Sequence, residues 1–342
     1  MASIKEIAKM AEVSVGTASI VLNGKGDQMR ISQATQKRVL ETAQRLGYQP
    51  NISARRLRSG SEKAVPVIAV LWTLDTRASL VSRFLRGIQP HLFNQARPFE
   101  MLVQPYEISK IDQIESLLTG TRFNGAIIAN ASERDQNYLE NTDLNVPIVL
   151  YLRNSNKYSY VTANGYETGM NIAKLFAKRG HQKVGIVIPN ISSQAIHLRK
   201  EGFLEGARIH GLELSPKHIL FESFTEEGGY LVANDLLREG EWPSALFFIS
   251  DQMATGALVA FHEAGVKVPQ DIEMMGHDNY DQARFTIPSL STVHLPVEEM
   301  AGACVDILLD HIEHKVTSPV SVSFETELRI RQSCGGFPDQ SS

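Results

Sequence analysis

Residues 3–23, SIKEIAKMAEVSVGTASIVLN, carry the spacing of a helix-turn-helix and govern how the rest of the chain is read. Ser3 is placed to cap a helix, Glu6 three residues later completes a capping box, and Ile4, Ile7, Ala8 and Ala11 recur on one helical face. Glu12-Val13-Ser14 then breaks the pattern with a short turn whose valine can plug the angle between two helices. Ser14 can cap a second helix from Val15 to about Leu22. On that helix Ala18, Val21 and Leu22 share the inward side. Val15, Gly16, Ser19 and Ile20 lie on the other, which is small and flat enough to enter a major groove of DNA.

A polar loop, NGKGDQMR, leads to a third helix that begins near Ser32 and carries Val39, Leu40, Ala43 and Leu46 before ending at Gly47. In the next stretch, YQPNISARRLRSG (48–60), Pro50 stops the preceding structure, and Asn51 can cap a short basic helix with Arg55, Arg56 and Arg58 around a solitary Leu57. Residues 1–63 carry a net charge of +6 and the remainder −10, for −4 overall. A basic arm on an acidic body suits phosphate binding by the arm. Val15, Gly16 and Ile20 offer no side-chain hydrogen bonds, so readout from this helix is expected through thymine methyls and close backbone approach. Ser14, Thr17, Ser19 and Asn23 would serve mainly the phosphates.

The other 280-odd residues read as an α/β body. The apolar runs 65–72, 125–130, 147–152, 183–188, 244–250 and 272–276 are strand-length and do not alternate, the pattern of strands buried on both faces. Helix-length segments at 79–95, 165–180, 196–210, 226–239, 251–265 and 296–314 separate them, as in doubly wound parallel sheets. In such sheets ligands bind beyond the carboxyl ends of the strands, so the loops after these runs are the expected contacts. Cys304 and Cys334 lack any CxxC pattern and read as reduced, with Cys304 a small core residue on a helix. The chain lacks an export signal and an apolar run of membrane-spanning length, so a cytoplasmic protein with no membrane partner is expected. HExxH, Walker and GxSxG motifs are missing and the ten histidines show no metal-ligand spacing. Neither an enzyme nor a metal or other cofactor is therefore expected. His277 and His294 flank the presumed cleft and read as structural histidines or ligand contacts.

The chain resembles the lactose-repressor (LacI/GalR) family of bacterial transcription regulators. The resemblance rests on IKEIAKMAEVSVGTASIVLN and GYQPNISARRL, then on VTANGYETG (161–169), RKEGFLEGA (199–207), the run 246–279 and IPSLSTVHLP (287–296), all in the family's order. It implies a helix-turn-helix headpiece with hinge helix (1–60) on a two-lobed body like periplasmic binding proteins (61–342), used for effector binding and dimerisation. Lobe one would span about 65–162 and 292–320, and lobe two about 163–291 and 321–334. The implied function is an allosteric repressor of carbohydrate-utilisation genes that binds palindromic operator DNA as a homodimer; the tail QSCGGFPDQSS offers no heptad for a tetramer. DNA contacts would be Ser14, Val15, Gly16, Thr17, Ser19, Ile20 and Asn23 in the headpiece and Asn51, Ala54, Arg55, Leu57 and Arg58 in the hinge. A solute-binding transport protein shares the body but needs no headpiece, so residues 1–60 argue against it.

In the family an arginine of the RxxGF segment and an aspartate of the GxDD or GxDN segment hold ligand hydroxyls, and they fall here on Arg199 and Asp278. A planar guanidinium and a carboxylate match vicinal hydroxyls, and Phe224 could cover a sugar or base face. Ser250-Asp251 replaces the family's Asn-Asp and stays in the expected effector set. Leu152-Arg153 and Ala163-Asn164 replace Asp-Arg and Asp-Asn, removing two acids. That shifts the expected small-molecule effector from a neutral sugar toward a sugar phosphate, anchored by Arg153 and Arg199. The alternatives are a nucleobase or a protein corepressor. Ligand closure of the cleft would change whether the hinges fold on DNA.

Leu57 is an apolar residue among arginines on a helix too short to be stable alone, so it is expected to wedge between bases at the operator centre. Leu57→Ala should weaken operator binding by about 2–4 kcal/mol, the scale of unstacking and wrapping, while salt-driven binding to random DNA holds. Fluorescence anisotropy on both DNAs checks this, and equal operator affinity of variant and parent excludes the wedge.

Overall fold

A computed structural model of the chain describes residues 4–22, 26–46, 65–73, 78–120 and 122–336. Asn23, Asn51, Ala54, Arg55, Leu57 and Arg58 lie outside the described residues, as does the whole expected hinge helix.

Three helices form the headpiece: α1 (Ile4–Met10), α2 (Val15–Leu22) and α3 (Gln33–Arg45). Ser14 caps α2, its Oγ accepting the Thr17 N–H at 3.0 Å, and Ser32 caps α3 in the same way through Thr35 at 3.3 Å. Ile7, Ala8, Ala11, Ala18, Val21, Val39 and Ala43 make its core, with Val13 packed against it from the turn. Leu40 departs from the expected inward stripe and is exposed. Val39, Ala43 and Leu46 form one i, i+4, i+7 row against the core, and Leu40 sits one position off it.

The body holds two six-stranded sheets. In the first, β1 (Val67–Thr73), β2 (Glu100–Tyr106), β3 (Gly125–Ala129), β4 (Ile148–Tyr151), β5 (Ser159–Ala163) and β11 (Ser321–Phe324) stand in the order β11-β5-β4-β3-β1-β2, every pair parallel. The second comprises β6 (Val184–Pro189), β7 (Ile219–Glu222), β8 (Ala245–Phe248), β9 (Glu273–Asp278), β10 (Ser291–His294) and β12 (Glu327–Arg329), in the order β12-β10-β9-β8-β6-β7. Only its edge strand β12 is antiparallel. The six apolar runs became β1, β3, β4, β6, β8 and β9, all fully buried.

Helices cover both faces: α4 (Ala78–Leu92), α5 (Glu115–Thr119), α6 (Glu133–Asn141), α7 (Gly165–Lys178), α8 (Gln194–Ile209), α9 (Glu226–Glu239), α10 (Asp251–Glu263) and α11 (Val297–Ile312). Cys304 is wholly buried on α11, and Cys334 is buried as well; both are free thiols. Among the described residues no helix is long and apolar enough to cross a membrane.

The lobe boundaries differ from those expected. β10, at 291–294, hydrogen-bonds to β9 and so belongs to the second sheet, whereas β11, at 321–324, extends the first sheet beside β5. The chain therefore crosses between lobes after β5, between β10 and α11, and between β11 and β12. The expected edges at 292 and 321 ignored that a four-residue strand joins whichever sheet edge offers unpaired backbone.

The α9–α10 pair shows why glycine is required at a helix contact. A Cβ on Gly256 would lie 1.7 Å from the Glu226 carbonyl oxygen, and one on Gly229 1.8 Å from that of Met253. Neither neighbour is a flexible side-chain tip, so the helices must part. Gly256→Ala should lower the unfolding free energy by roughly 2–3 kcal/mol. Urea melts check it, and an unchanged midpoint contradicts the close-packing account.

Candidate functional site

Both sheets change winding direction next to their first strand, at β1/β3 and at β6/β8, and the carboxyl ends of these strands face each other across the cleft. One small cavity lies there. Asn130 and Ala131 reach it from the loop after β3, Leu152 and Arg153 from the end of β4, and Leu80 from the first turns of α4. The second lobe contributes Ser193, Gln194 and Arg199 from the start of α8, Phe224 after β7, Ile249 after β8 and Asp278 at the end of β9; Leu295 comes from the crossover. Arg153, Arg199, Phe224 and Asp278 thus meet as expected. Arg199 and Phe224 are 6% and 5% exposed.

Several of these residues hold unusual backbone conformations. Asn130, Leu152, Asp278 and Asn279 have φ of 59°, 58°, 104° and 53°. Left-handed backbone at three strand ends around one cavity is strain concentrated at a site, and Leu152 bears it without the side-chain hydrogen bonding that eases Asn or Asp.

Two buried donors there lack a hydrogen-bond partner among the described residues: Asn130 Nδ2 and Arg199 Nε. Arg199 gives Nη1 to the Ile249 carbonyl at 3.3 Å, and burial lowers its pKa to about 10, so it remains a cation at neutral pH. Asp278 supplies the nearby negative charge. Arg153 donates Nε to Gln136 Oε1 at 2.5 Å and Nη1 to the Ala131 carbonyl at 2.8 Å, in the field of Glu133, Asp135 and Glu140. Ser193, at the N-cap of α8, makes no capping bond, so the first N–H groups of a 16-residue helix open toward the same space.

Ser250 and Asp251, also in the expected effector set, do not line this cavity. Ser250 caps α10, accepting the Gln252 N–H at 3.2 Å. Asp251 accepts from the Tyr280 N–H at 2.8 Å and from Thr292 Oγ1 at 2.6 Å, which holds the segment after Asp278 in place. The Asp278 Oδ1 lies 2.8 Å from His277 Nδ1, and because a carboxylate only accepts, that nitrogen carries the proton. Burial, with Arg199 nearby, pushes the His277 pKa down to about 4, so the ring is neutral. His294 sits 3.2 Å from the Asn279 side chain. Asn130 and Gln194 were missed in sequence, although the rule that ligands meet loops after strands points at Asn130.

The cavity measures about 40 Å³, room for a water or two, whereas small-molecule pockets run to roughly 300–1,000 Å³. In this arrangement the enclosed cavity is smaller than a sugar phosphate. An Asn154 N–H bond to Gln194 Oε1, 2.7 Å, ties the lobes on one side. A wider space of about 910 Å³ adjoins at Arg153, Ser193 and Gln194, lined by polar residues of α6 and of the loop and helix after β6.

In the headpiece, Ser14, Val15 and Gly16 are exposed, Val15 by 46%, and Thr17, Ser19 and Ile20 are half-buried. A Cβ on Gly16 would meet only Ser14 Oγ, at 3.6 Å, so its surface is open to close approach.

Residues 3–51 match the lacI family of bacterial regulatory proteins and residues 173–334 the periplasmic binding protein-like domain. The HTH-type transcriptional repressor PurR of Pasteurella multocida (strain Pm70) is 28% identical over 336 residues, 97% of this chain and 98% of that protein. A LacI family transcription regulator from Clostridium acetobutylicum has a solved structure that is 31% identical, with a TM-score of 0.74 over 78% of this chain and 99% of its own. The lac repressor dimer bound to operator and the anti-inducer ONPF shares the fold, at 21% identity and a TM-score of 0.72 over 97% and 99%.

Burial pushes the Asp251 carboxyl up to about 8, with the charge of Asp278 adding to the effect. The folded chain then keeps a proton that the unfolded chain has released, so the stability this group confers is present in acid and lost as pH rises toward 8. His277 works the other way, but only between about 4 and its ordinary 6.5. Unfolding free energy from urea melts should fall between pH 6.5 and 8, and Asp251→Asn should flatten that slope. An identical slope in the variant refutes the assignment.

Proposed function

The chain belongs to the LacI family of bacterial regulatory proteins, and from that premise we propose that it is a repressor whose grip on its operator is set by a small anionic carbohydrate, a sugar phosphate, in the inter-lobe cleft. The observation that carries the reading is the pair of buried donors without acceptors, Asn130 Nδ2 from lobe one and Arg199 Nε from lobe two, facing one cavity. Unmade bonds of this kind cost about 1–3 kcal/mol each, and a ligand rich in acceptor oxygens removes the cost. Arg199, Arg153 and the uncapped start of α8 favour negative charge on that ligand, and Asp278 accepts from its hydroxyls. The closed cavity gives the ligand its leverage. A molecule that does not fit the closed arrangement binds only when the lobes shift, and that differential affinity is what biases the headpieces.

DNA is engaged by the exposed face of α2 in the major groove, with the basic hinge segments at the operator centre. The active form is a homodimer. Phe285 and Ile287, 81% and 91% exposed on the loop after β9, form an apolar projection that a second copy would cover. A nucleobase is the second reading, favoured by the buried Phe224 ring on the cavity wall, which suits a planar ligand.

Operator affinity of the full chain is measured by anisotropy with glucose 6-phosphate, fructose 1,6-bisphosphate, their neutral parents, hypoxanthine, guanine and a cell extract. A phosphorylated sugar should shift the Kd at least fivefold, the lower end of typical allosteric coupling. Asp278→Asn, which keeps an acceptor for His277, should retain operator binding and lose the shift. A response to a base alone supports the second reading, and a response to extract protein alone supports a protein corepressor and overturns the small-molecule account.

A further inference from the structure

Arg83 is a buried side chain of lobe one that reaches the end of β9 in lobe two. It stands on α4 in lobe one, its side chain 9% exposed. Its Nη1 donates to the Asp278 carbonyl at 2.6 Å and its Nη2 to the Leu295 carbonyl at 2.8 Å. Nε and Nη2 also form a two-pronged pair with the Glu298 carboxylate on α11, at 3.0 and 2.7 Å. Both carbonyls belong to residues that line the cleft cavity.

The surroundings turn this contact into a mechanical link. Asp278 has a φ of 104°, so its side chain faces the cavity only while its backbone stays in a strained turn, and Arg83 holds the carbonyl of that residue. One turn along α4, Arg86 lies 3.7 Å from Asp281 and 3.9 Å from Glu298. Tyr280, between the two gripped positions, is buried in the apolar core of lobe one. Gly87 brings α4 so close to α11 that a Cβ would fall 2.2 Å from the Glu298 carbonyl oxygen. Helix α4, the start of α11 and residues 278–281 therefore move together or the buried bonds break.

We infer that Arg83 is the inter-lobe latch and the positioning residue that passes the state of the cleft at Asp278 to α4, in the lobe that carries the headpiece. This rests on reading the cleft as the effector site, but the latch itself is testable without effector. Lysine keeps the charge but offers one ammonium in place of the planar fork, so it does not serve two carbonyls and a carboxylate at once.

Both native cysteines are buried, so nitroxide labels placed at Asn137→Cys in lobe one and Ile209→Cys in lobe two, both exposed, report the inter-lobe distance by pulsed electron resonance in the full chain. Diluted with unlabelled chain so that one labelled protomer sits in each dimer, the parent should give one narrow distribution. Arg83→Lys and, separately, Glu298→Gln should broaden or displace it and change operator Kd by fivefold or more, with cooperative melting retained. Arg86→Gln should do less, because its pairs are long and its side chain is half exposed. Lower melting temperatures with an unchanged distance distribution make Arg83 merely structural and overturn the latch. A changed distance with unchanged operator affinity overturns the coupling. Failure of every sugar phosphate to act on the operator counts against the proposed effector and leaves these two readouts standing.

Discussion

Parallel sheets end in loops whose backbone and side-chain polar groups must be satisfied, and here two such ends face each other across one small cavity. Most of the groups find partners: Asp278 with His277 and Arg83, Asp251 with Thr292 and Tyr280, Arg153 with Gln136 and Ala131. Asn130 Nδ2 and Arg199 Nε do not. An unsatisfied buried donor is expensive, and the proposed effector is the ligand that would satisfy these two.

The same constraint explains how a small molecule can matter to DNA some distance away. Close packing leaves the lobes few arrangements, and the bonds between them, Arg83 to the Asp278 carbonyl and Asn154 to Gln194, are made or broken as sets. A ligand larger than the present cavity must select a different set. The headpiece precedes β1 in the chain and α4 follows β1, so the helix that Arg83 anchors is close in sequence to the DNA-binding arm.

Much of this was legible in the sequence because the physics was local. The cap at Ser14, the start of α3 near Ser32, the apolar stripes of α1 and α2, and six strands buried on both faces announce themselves by spacing. The missed strands were β2, β7, β11 and β12, which lie at sheet edges with exposed residues, and β5 and β10, short strands in which Ser, Thr, Tyr or His replace the continuous apolar run. Arg199, Asp278, Phe224 and Arg153 converged because each follows a strand. Ser250 and Asp251 also follow a strand, yet one caps a helix and the other braces a turn, a difference set by side-chain direction that sequence order does not carry. Arg83 was invisible for another reason: its partners lie some 195 to 215 positions away.

The most direct measurement is a crystal structure of the full chain with the compound that alters operator affinity. The account predicts its oxygens within about 3.2 Å of both Asn130 Nδ2 and Arg199 Nε, with the lobes set further apart than here. A ligand bound elsewhere, or one that leaves both donors unpaired in an unchanged cavity, would contradict it.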